Sequence, residues 1–403
     1  MINHGDVAFM IISTVLVFIM TPGLAFFYGG LVERKNSLTM MFESFVAIGI
    51  VTVLWIFGGF SLTFGDDIGG VIGNPLQYFA FHDFTSLINT KYSDTIPFLQ
   101  FFMYQLMFAI ITAPLMTGAF ANRITPWGWI KVLIFWMIFI YFPVAHWVWG
   151  GGFLAKMGFV DYAGGAVIHI TAGFGCLAGV FFFGDRAYKV QIQPFNLGFV
   201  FLGSALLLFG WFGFNSGGSL SAAGTAAIVF ANTGIAAALG MVTWLILHAI
   251  FHKRLSFLEA SIGAVAGLAT ITPCSGYVTP FSAIFVGILA SIFCYFCVII
   301  ERKYWDDTLD VWGVHGMGGF FGTLLVGIFA NPLVNGVGAS PRQFLIQLFG
   351  SVLIAVYSIA VSYAIFYLVD KCGSIKVSPE IQKSGLDEAY FGEYFSDIRA
   401  DND

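Results

Sequence analysis

Charge is scarce in this chain. Only 10% of its 403 residues are Asp, Glu, Lys or Arg, where a soluble domain carries about 25%. That scarcity, with 58% hydrophobic residues and a mean hydropathy of +0.87, excludes a water-soluble globular fold. It points to one membrane-embedded bundle. The net charge is −5 and no basic stripe runs along the chain, so nucleic acid is excluded as a partner. Cysteine is scarce too. Cys176, Cys274 and Cys372 are isolated, while Cys294 and Cys297 sit in an apolar run as packing residues. No disulfide framework is expected. The first residues, Met1-Ile-Asn-His-Gly-Asp, lack a basic segment and lead straight into a span-length apolar run. No cleaved signal peptide is expected.

Long apolar runs are what the chain does have. A span needs about 20 largely apolar residues. Runs near 7–31, 38–64, 97–121, 126–150, 162–184, 194–215, 222–250, 257–272, 278–300, 308–330 and 343–370 qualify, the eighth being short. The expected fold class is all-α: an eleven-helix transmembrane bundle over 1–370, lying in the lipid bilayer of the cell (inner or plasma) membrane. The positive-inside rule orients it. With the N-terminus outside, the basic residues inside are Arg34, Lys35, Arg123, Lys131, Arg186, Lys189, Lys253, Arg254, Arg302, Lys303, Lys371, Lys376, Lys383 and Arg399. Only Lys91, Lys156 and Arg342 remain outside, three of the 17 Lys and Arg in all. The C-terminus is then cytoplasmic. Spans 1–5 (residues 1–185) and 6–10 (194–331) enter from opposite faces, as two inverted five-helix repeats would, and 343–370 is an extra helix. The tail 371–403 reads as a cytoplasmic appendage. The outer loop 65–96 carries Asp66, Asp67, Asp83 and Asp94 against Lys91. Among 48 glycines, Gly175-x-x-x-Gly179, Gly263-x-x-x-Gly267 and Gly318-x-x-x-Gly322 fit close helix approach.

Two histidines stand where an ionisable side chain is costly. His169 lies within Gly165–Gly184 and His315 within Val311–Ala330. Their flanks are alike: Val-Ile-His-Ile-Thr-Ala-Gly at 167–173 and Gly-Val-His-Gly-Met-Gly-Gly at 313–319. One reading is a polar pair that ties two helices together, worth about 0.6–2 kcal/mol. Matching positions in two halves favour function instead: metal or haem ligation, proton relay, or contact with a small polar substrate. Asp161, at the start of the fifth run, reads both as a helix cap and as a source of negative potential. Asp310 reads as the cap of the tenth. Glu43 and Glu259, near the inner ends of spans, are read as reaching the interface. Trp149 ends span 4 at the outer face, Phe108 is mid-span 3, and Phe214 ends span 6.

Five blocks resemble the ammonium transporter, methylamine permease and Rhesus family. They are Met20-Thr-Pro-Gly-Leu-Ala-Phe-Phe-Tyr-Gly-Gly-Leu, Asp161-Tyr-Ala-Gly-Gly-Ala-Val-Ile-His169, Trp211-Phe-Gly-Phe-Asn215, Ile271-Thr-Pro-Cys-Ser-Gly-Tyr and Asp310-Val-Trp-Gly-Val-His315-Gly. The likeness runs nearly end to end. It implies ammonium transport rather than enzyme activity, with ammonium or ammonia as substrate, methylammonium as a further candidate, no cofactor and homotrimeric assembly. By position it implies an outer ammonium site at Trp149 and Phe108, a phenylalanine gate at Phe108 and Phe214, twin pore histidines at His169 and His315, and an essential acid at Asp161. The family usually reads Gly-Phe-Asn-x-Gly-Ser at the outer site. Here Gly218 takes the serine position, leaving Ser219 or Ser216 to substitute. The tail resembles the family's regulatory segment at Gly385-Leu-Asp387 and Gly392-Glu393, with Phe391 at the usual histidine. That implies coupling between subunits and a PII-type signal protein as partner at the cytoplasmic face.

The chemistry suits that substrate. An aromatic face offers a desolvated cation about 2 kcal/mol. A bare ammonium-sized ion pays on the order of 20 kcal/mol to enter a low-dielectric interior in the idealised limit. Rings therefore select the cation at the mouth but cannot carry it through an apolar pore. Shedding the proton removes most of the penalty, and neutral ammonia can then hydrogen-bond its way past imidazole. Potassium has no proton to shed. Two other readings compete: an ammonium sensor with slow or no conduction, and a redox protein with His169 and His315 as haem ligands.

Overall fold

In hydrocarbon a backbone must satisfy its own polar groups, and the helix does this within one segment. The apolar runs accordingly form helices. The structure is a computed structural model describing residues 1–82, 84–85, 87–187, 193–393 and 395; Asp83, Lys189 and Arg399 lie outside the described residues. Ten helices among the described residues are long and apolar enough to cross a membrane, and a shorter apolar helix, Phe257–Ile271, takes its place in the series. In chain order they are α1 His4–Leu31, α2 Arg34–Phe64, α3 Phe98–Gly118, α4 Pro126–Met157, α5 Gly165–Phe183, α6 Leu197–Ser219, α7 Gly224–His252, α8 Phe257–Ile271, α9 Pro280–Tyr304, α10 Trp312–Phe329 and α11 Pro341–Lys371.

Their starts follow from local chemistry. Thr125, Thr279 and Ser340 each precede a proline at the first helical position, and each hydroxyl accepts an N–H of the first turn, from Gly128, Ser282 and Gln343. Proline gives up no needed donor there. Eleven crossings place the two chain ends on opposite faces, here the amino face and the tail face.

Glycine sets how near the helices come. A Cβ on Gly203 of α6 would lie 2.3 Å from the backbone nitrogen of Phe27 in α1. α5 and α10 touch in the same way: a Cβ on Gly173 would meet the Gly316 Cα at 2.1 Å, and one on Gly319 the Gly165 carbonyl at 2.4 Å. These contacts draw the two histidine-bearing helices together.

On the amino face, loop 65–96 forms a short antiparallel hairpin, Asp67–Ile68 with Ile72–Gly73. His146 anchors it, one ring nitrogen 2.8 Å from the Thr63 carbonyl and the other 2.9 Å from Asp67. On the tail face, Arg123 is buried and donates to the carbonyls of Gly184 and Asp306 at 2.6 and 2.7 Å, joining three segments. The tail packs onto the α1–α2 turn. The Asp387 carboxylate accepts from the backbone N–H groups of Leu38 and Thr39, at 3.0 and 2.8 Å, and so caps α2. Phe391 packs on Phe42, ring centroids 4.9 Å apart.

Two sequence expectations are corrected. Glu43 does not reach the interface: it is 1% exposed, and neither carboxylate oxygen has a hydrogen-bond partner among the described residues. Glu259 is turned inward as well, accepting the Trp244 indole N–H at 2.7 Å.

Candidate functional site

Both histidine-bearing helices open with a π-helical turn, Gly165–Ile170 in α5 and Trp312–Gly316 in α10. The wider turn is visible in the bond from the His169 N–H to the Gly164 carbonyl, five residues back, at 3.0 Å. Such turns re-aim a side chain and cluster at functional sites. Here they bring the two imidazoles together, Nδ1 to Nδ1 at 3.3 Å. One of these nitrogens must then carry the shared proton and the other accept it. Both rings are buried, and the Nε2 of His169 has no partner among the described residues.

The aromatics form a column toward the amino face. Trp211 lies 5.4 Å from His169 with rings 25° apart, and Phe214 lies 6.3 Å from it. Phe108 covers Phe214 at 4.5 Å. Trp149 stands edge-on to Phe108 at 6.0 Å. Trp211 is fixed through its indole N–H, which donates to Thr272 Oγ1 at 2.8 Å; Thr272 in turn donates to Asn215 at 3.2 Å. Sequence reasoning placed Trp211 and Asn215 only within a block of likeness and gave them no part in the site.

Three cavities follow this column. The first, about 360 Å³, opens on the amino face and is walled by Trp149, Phe108, Asp161, Tyr162 and Gly218. The second, about 20 Å³, lies beyond the Phe108–Phe214 pair and is lined by Phe214, Trp211, His169, His315, Ile111 and Leu115. The third, about 160 Å³, opens on the tail face and shares His315 with the second. The middle one has room for about one water-sized molecule.

Asp161 does not face an occupant with a free oxygen. One oxygen accepts from Gly164 and Gly165 at 2.9 and 2.7 Å, the other from Ala166 and Val167 at 2.7 and 3.0 Å. Its backbone carbonyl accepts the Trp149 indole N–H at 2.8 Å. It therefore holds the start of α5 and orients Trp149. In the other half the corresponding cap is Asp307, which accepts from Val311 and Trp312 at 3.1 and 2.8 Å. The reading of Asp310 as the cap is corrected: its carboxylate is held by Arg302, the Nε donating at 2.8 Å. The overlooked signal was spacing, since Asp161 and Asp307 each stand eight residues before their histidine. Ser219 is also turned aside. Its hydroxyl donates to the Ser216 carbonyl at 2.8 Å, and Gly218 lines the first cavity instead.

The haem reading does not fit the geometry. The cavity that the two imidazoles line is about 20 Å³, far too small to admit a porphyrin. Among the described residues no group of three or more His, Cys, Asp or Glu could hold a metal ion.

A family model described as the Ammonium Transporter Family matches residues 8–395. The chain belongs to the ammonium transporter family. An ammonium transporter of Aquifex aeolicus is 41% identical over 400 residues, covering 97% of this chain and 93% of that one. The crystal structure of Candida albicans Mep2 aligns with TM-score 0.87 at 32% identity, over 94% of this chain and 87% of its own. A structure titled "Sensor Amt Protein" aligns with TM-score 0.88 at 30% identity, over 96% and 98%. Membership in this family makes the chain a multi-pass membrane transporter of the plasma membrane and not an enzyme.

Proposed function

We propose that the chain recruits ammonium at the amino face, strips its proton, and passes ammonia along the histidine pair to the tail face. The carrying observation is the row of three cavities with an imidazole pair in the narrow middle one. The amino face is external in this reading, and the scarcity of Lys and Arg there supports that. Trp149 and Phe108 offer ring faces to the arriving cation. Phe108 and Phe214 close the route to bulk water. The second cavity is too small for a hydrated ion, and its apolar walls offer no charge to replace the lost shell. Ammonia fits it. His169 and His315 offer nitrogen lone pairs and N–H groups in turn, and their shared hydrogen bond is a step along which a proton can move in parallel with ammonia. Asp161 acts through others, by holding Trp149 and the first turn of α5. A homotrimer and a PII-type protein at the tail face complete the proposal, the latter supported by the tail docked on α2.

A second reading, an ammonium sensor, is favoured by the likeness to the structure titled as a sensor. Currents separate the two. In proteoliposomes on a solid-supported membrane, an ammonium pulse should evoke a saturable current, a potassium pulse none, and His315→Ala should abolish or derange the ammonium response. Silence toward ammonium from correctly inserted protein would leave the sensor; an unaltered selective current in His315→Ala would remove the imidazole pair from the pathway.

A further inference from the structure

The loop that carries the amino-face hairpin brings one more charged group to the first cavity. Among the described residues that wall this cavity, Lys91 is the one cation and Asp161 the one carboxylate. A lysine is an odd neighbour for a cavity that gathers cations. Its side chain is a primary ammonium on a tether, with the charge of the arriving ion and the same attraction to ring faces. The chain holds it there through Tyr92. That ring stacks on Phe98 at 4.8 Å and on Phe101 at 5.0 Å, and its hydroxyl donates to the Phe64 carbonyl. The Lys91 ammonium lies 5.4 Å over the Tyr92 ring.

Asp66 balances this charge. Its carboxylate lies 2.7 Å from the Lys91 Nζ, and that contact holds the Asp66 carboxyl below its usual range. Asp66 is anchored in turn: its N–H donates to Gln77 Oε1 at 2.6 Å, and its carbonyl accepts the Asn74 N–H at 2.8 Å. The nearby acids are committed elsewhere. Asp67 is taken by His146 and Lys156, and Asp161 by its four N–H groups. The Lys91 and Asp66 side chains are 42% and 71% exposed, so dissolved salt reaches the pair. A cavity of about 360 Å³ is about 9 Å across if compact, within the Debye length of about 10 Å at 0.1 M salt. Across that span one unit charge changes the affinity for a cation about twofold at the dielectric of water, and more between protein walls.

We infer that the Lys91–Asp66 pair sets the ammonium affinity of the first cavity, the lysine opposing entry as a tethered cation and the aspartate cancelling it. The inference rests on the reading of that cavity as the recruiting site. It adds to that site two residues that tune affinity through charge.

The test is the half-saturating ammonium concentration of the current evoked in proteoliposomes on a solid-supported membrane. Lys91→Gln leaves Asp66 uncancelled and bares the Tyr92 ring, and should lower that concentration at least about twofold. Asp66→Asn leaves the lysine uncancelled and should raise it by a similar factor. The double variant, neutral again, should lie between the two, and Lys91→Arg, which keeps the charge, should match wild type. Both single shifts should shrink when sodium chloride is raised from about 0.01 M to about 1 M, because the Debye length falls from about 30 Å to about 3 Å. A change of local packing would not follow salt in this way. With a saturable wild-type current, absent shifts, shifts of one sign, or shifts that persist in high salt overturn the inference alone. A wild-type current that never saturates overturns the recruiting reading and this inference with it.

Discussion

His169 and His315 meet in the middle of the bundle, yet the two halves hold them by different means. In the first half one carboxylate, Asp161, takes all four N–H groups from Gly164 to Val167. In the second half the task is divided. Asp307 takes two N–H groups, Glu301 takes that of Gly313 at 2.7 Å, and the other oxygen of Glu301 has no partner among the described residues. Asp310 bends away to Arg302 from a left-handed backbone, with φ at 57°. The two halves thus share a spacing and a task but not a set of bonds. A cap held by one side chain has no reserve, whereas a divided cap keeps part of its bonds when one member is lost. The surroundings differ as well, since Asp161 also anchors Trp149 through its carbonyl, and Asp307 lies among other acids.

The largest effect should come from breaking the concentrated cap. In Asp161→Asn a single amide oxygen cannot serve four donors, and its NH₂ points donors at donors. Two or more buried N–H groups are left unpaired, each costing about 1–3 kcal/mol. Thermal unfolding in detergent should show a clearly lowered midpoint, and whatever protein inserts should carry little ammonium-evoked current. A wild-type midpoint with wild-type current would show that the bonds at Asp161 are dispensable and that the two halves are alike after all.

A smaller effect is expected at the ring column, which takes Phe108 and Trp149 from the first half and Trp211 and Phe214 from the second. Trp149→Leu keeps bulk and removes the ring face. The loss of a cation–π contact, about 0.5–2 kcal/mol, translates to roughly a 2- to 30-fold rise in half-saturating ammonium, with the maximal current largely kept. Kinetics indistinguishable from wild type would take Trp149 out of recruitment and leave it as a packing residue.

How far these features were readable from sequence depends on whether a residue stood out from its background. The eleven runs did, because charge is so rare that each loop is marked by it. The two histidines did for the same reason, and their shared contact at 3.3 Å follows from glycines that were noticed beside them. Asp161 was noticed as well. Asp307 was not, because the run Asp306-Asp307-Thr-Leu-Asp310 offers three acids and the one nearest the apolar run looked like the natural cap. The left-handed turn at Asp310 sends that side chain elsewhere, and no pattern of apolar residues announces such a turn. Ile111 and Leu115 line the middle cavity yet are invisible in a chain so rich in aliphatic residues. Ser219 misled because a hydroxyl beside the expected position can turn to a carbonyl of its own helix end as readily as to a cavity.

The smallest effect at neutral pH, and the sharpest contrast, is expected at Asp307. Burial, with Asp310 nearby, pushes its carboxyl up to about 6 against the pull of the Trp312 and Val311 N–H groups and Arg123. An unfolded aspartate titrates near 3.9. The folded chain therefore holds this proton more tightly than the unfolded one, and the ionised group opposes folding. The penalty is full above about pH 6 and fades as pH falls toward about 4; it is on the order of 3 kcal/mol. Asp307→Asn cannot ionise and keeps an acceptor for Val311 or Trp312, so it escapes that penalty while losing part of the cap. Near pH 7.5 its midpoint should lie close to wild type, far above that of Asp161→Asn. Between pH 7.5 and 5 the wild-type midpoint should gain relative to the variant. Parallel profiles across that window would mean that Asp307 does not titrate there, and a collapse as deep as that of Asp161→Asn would mean that the second cap has no more reserve than the first.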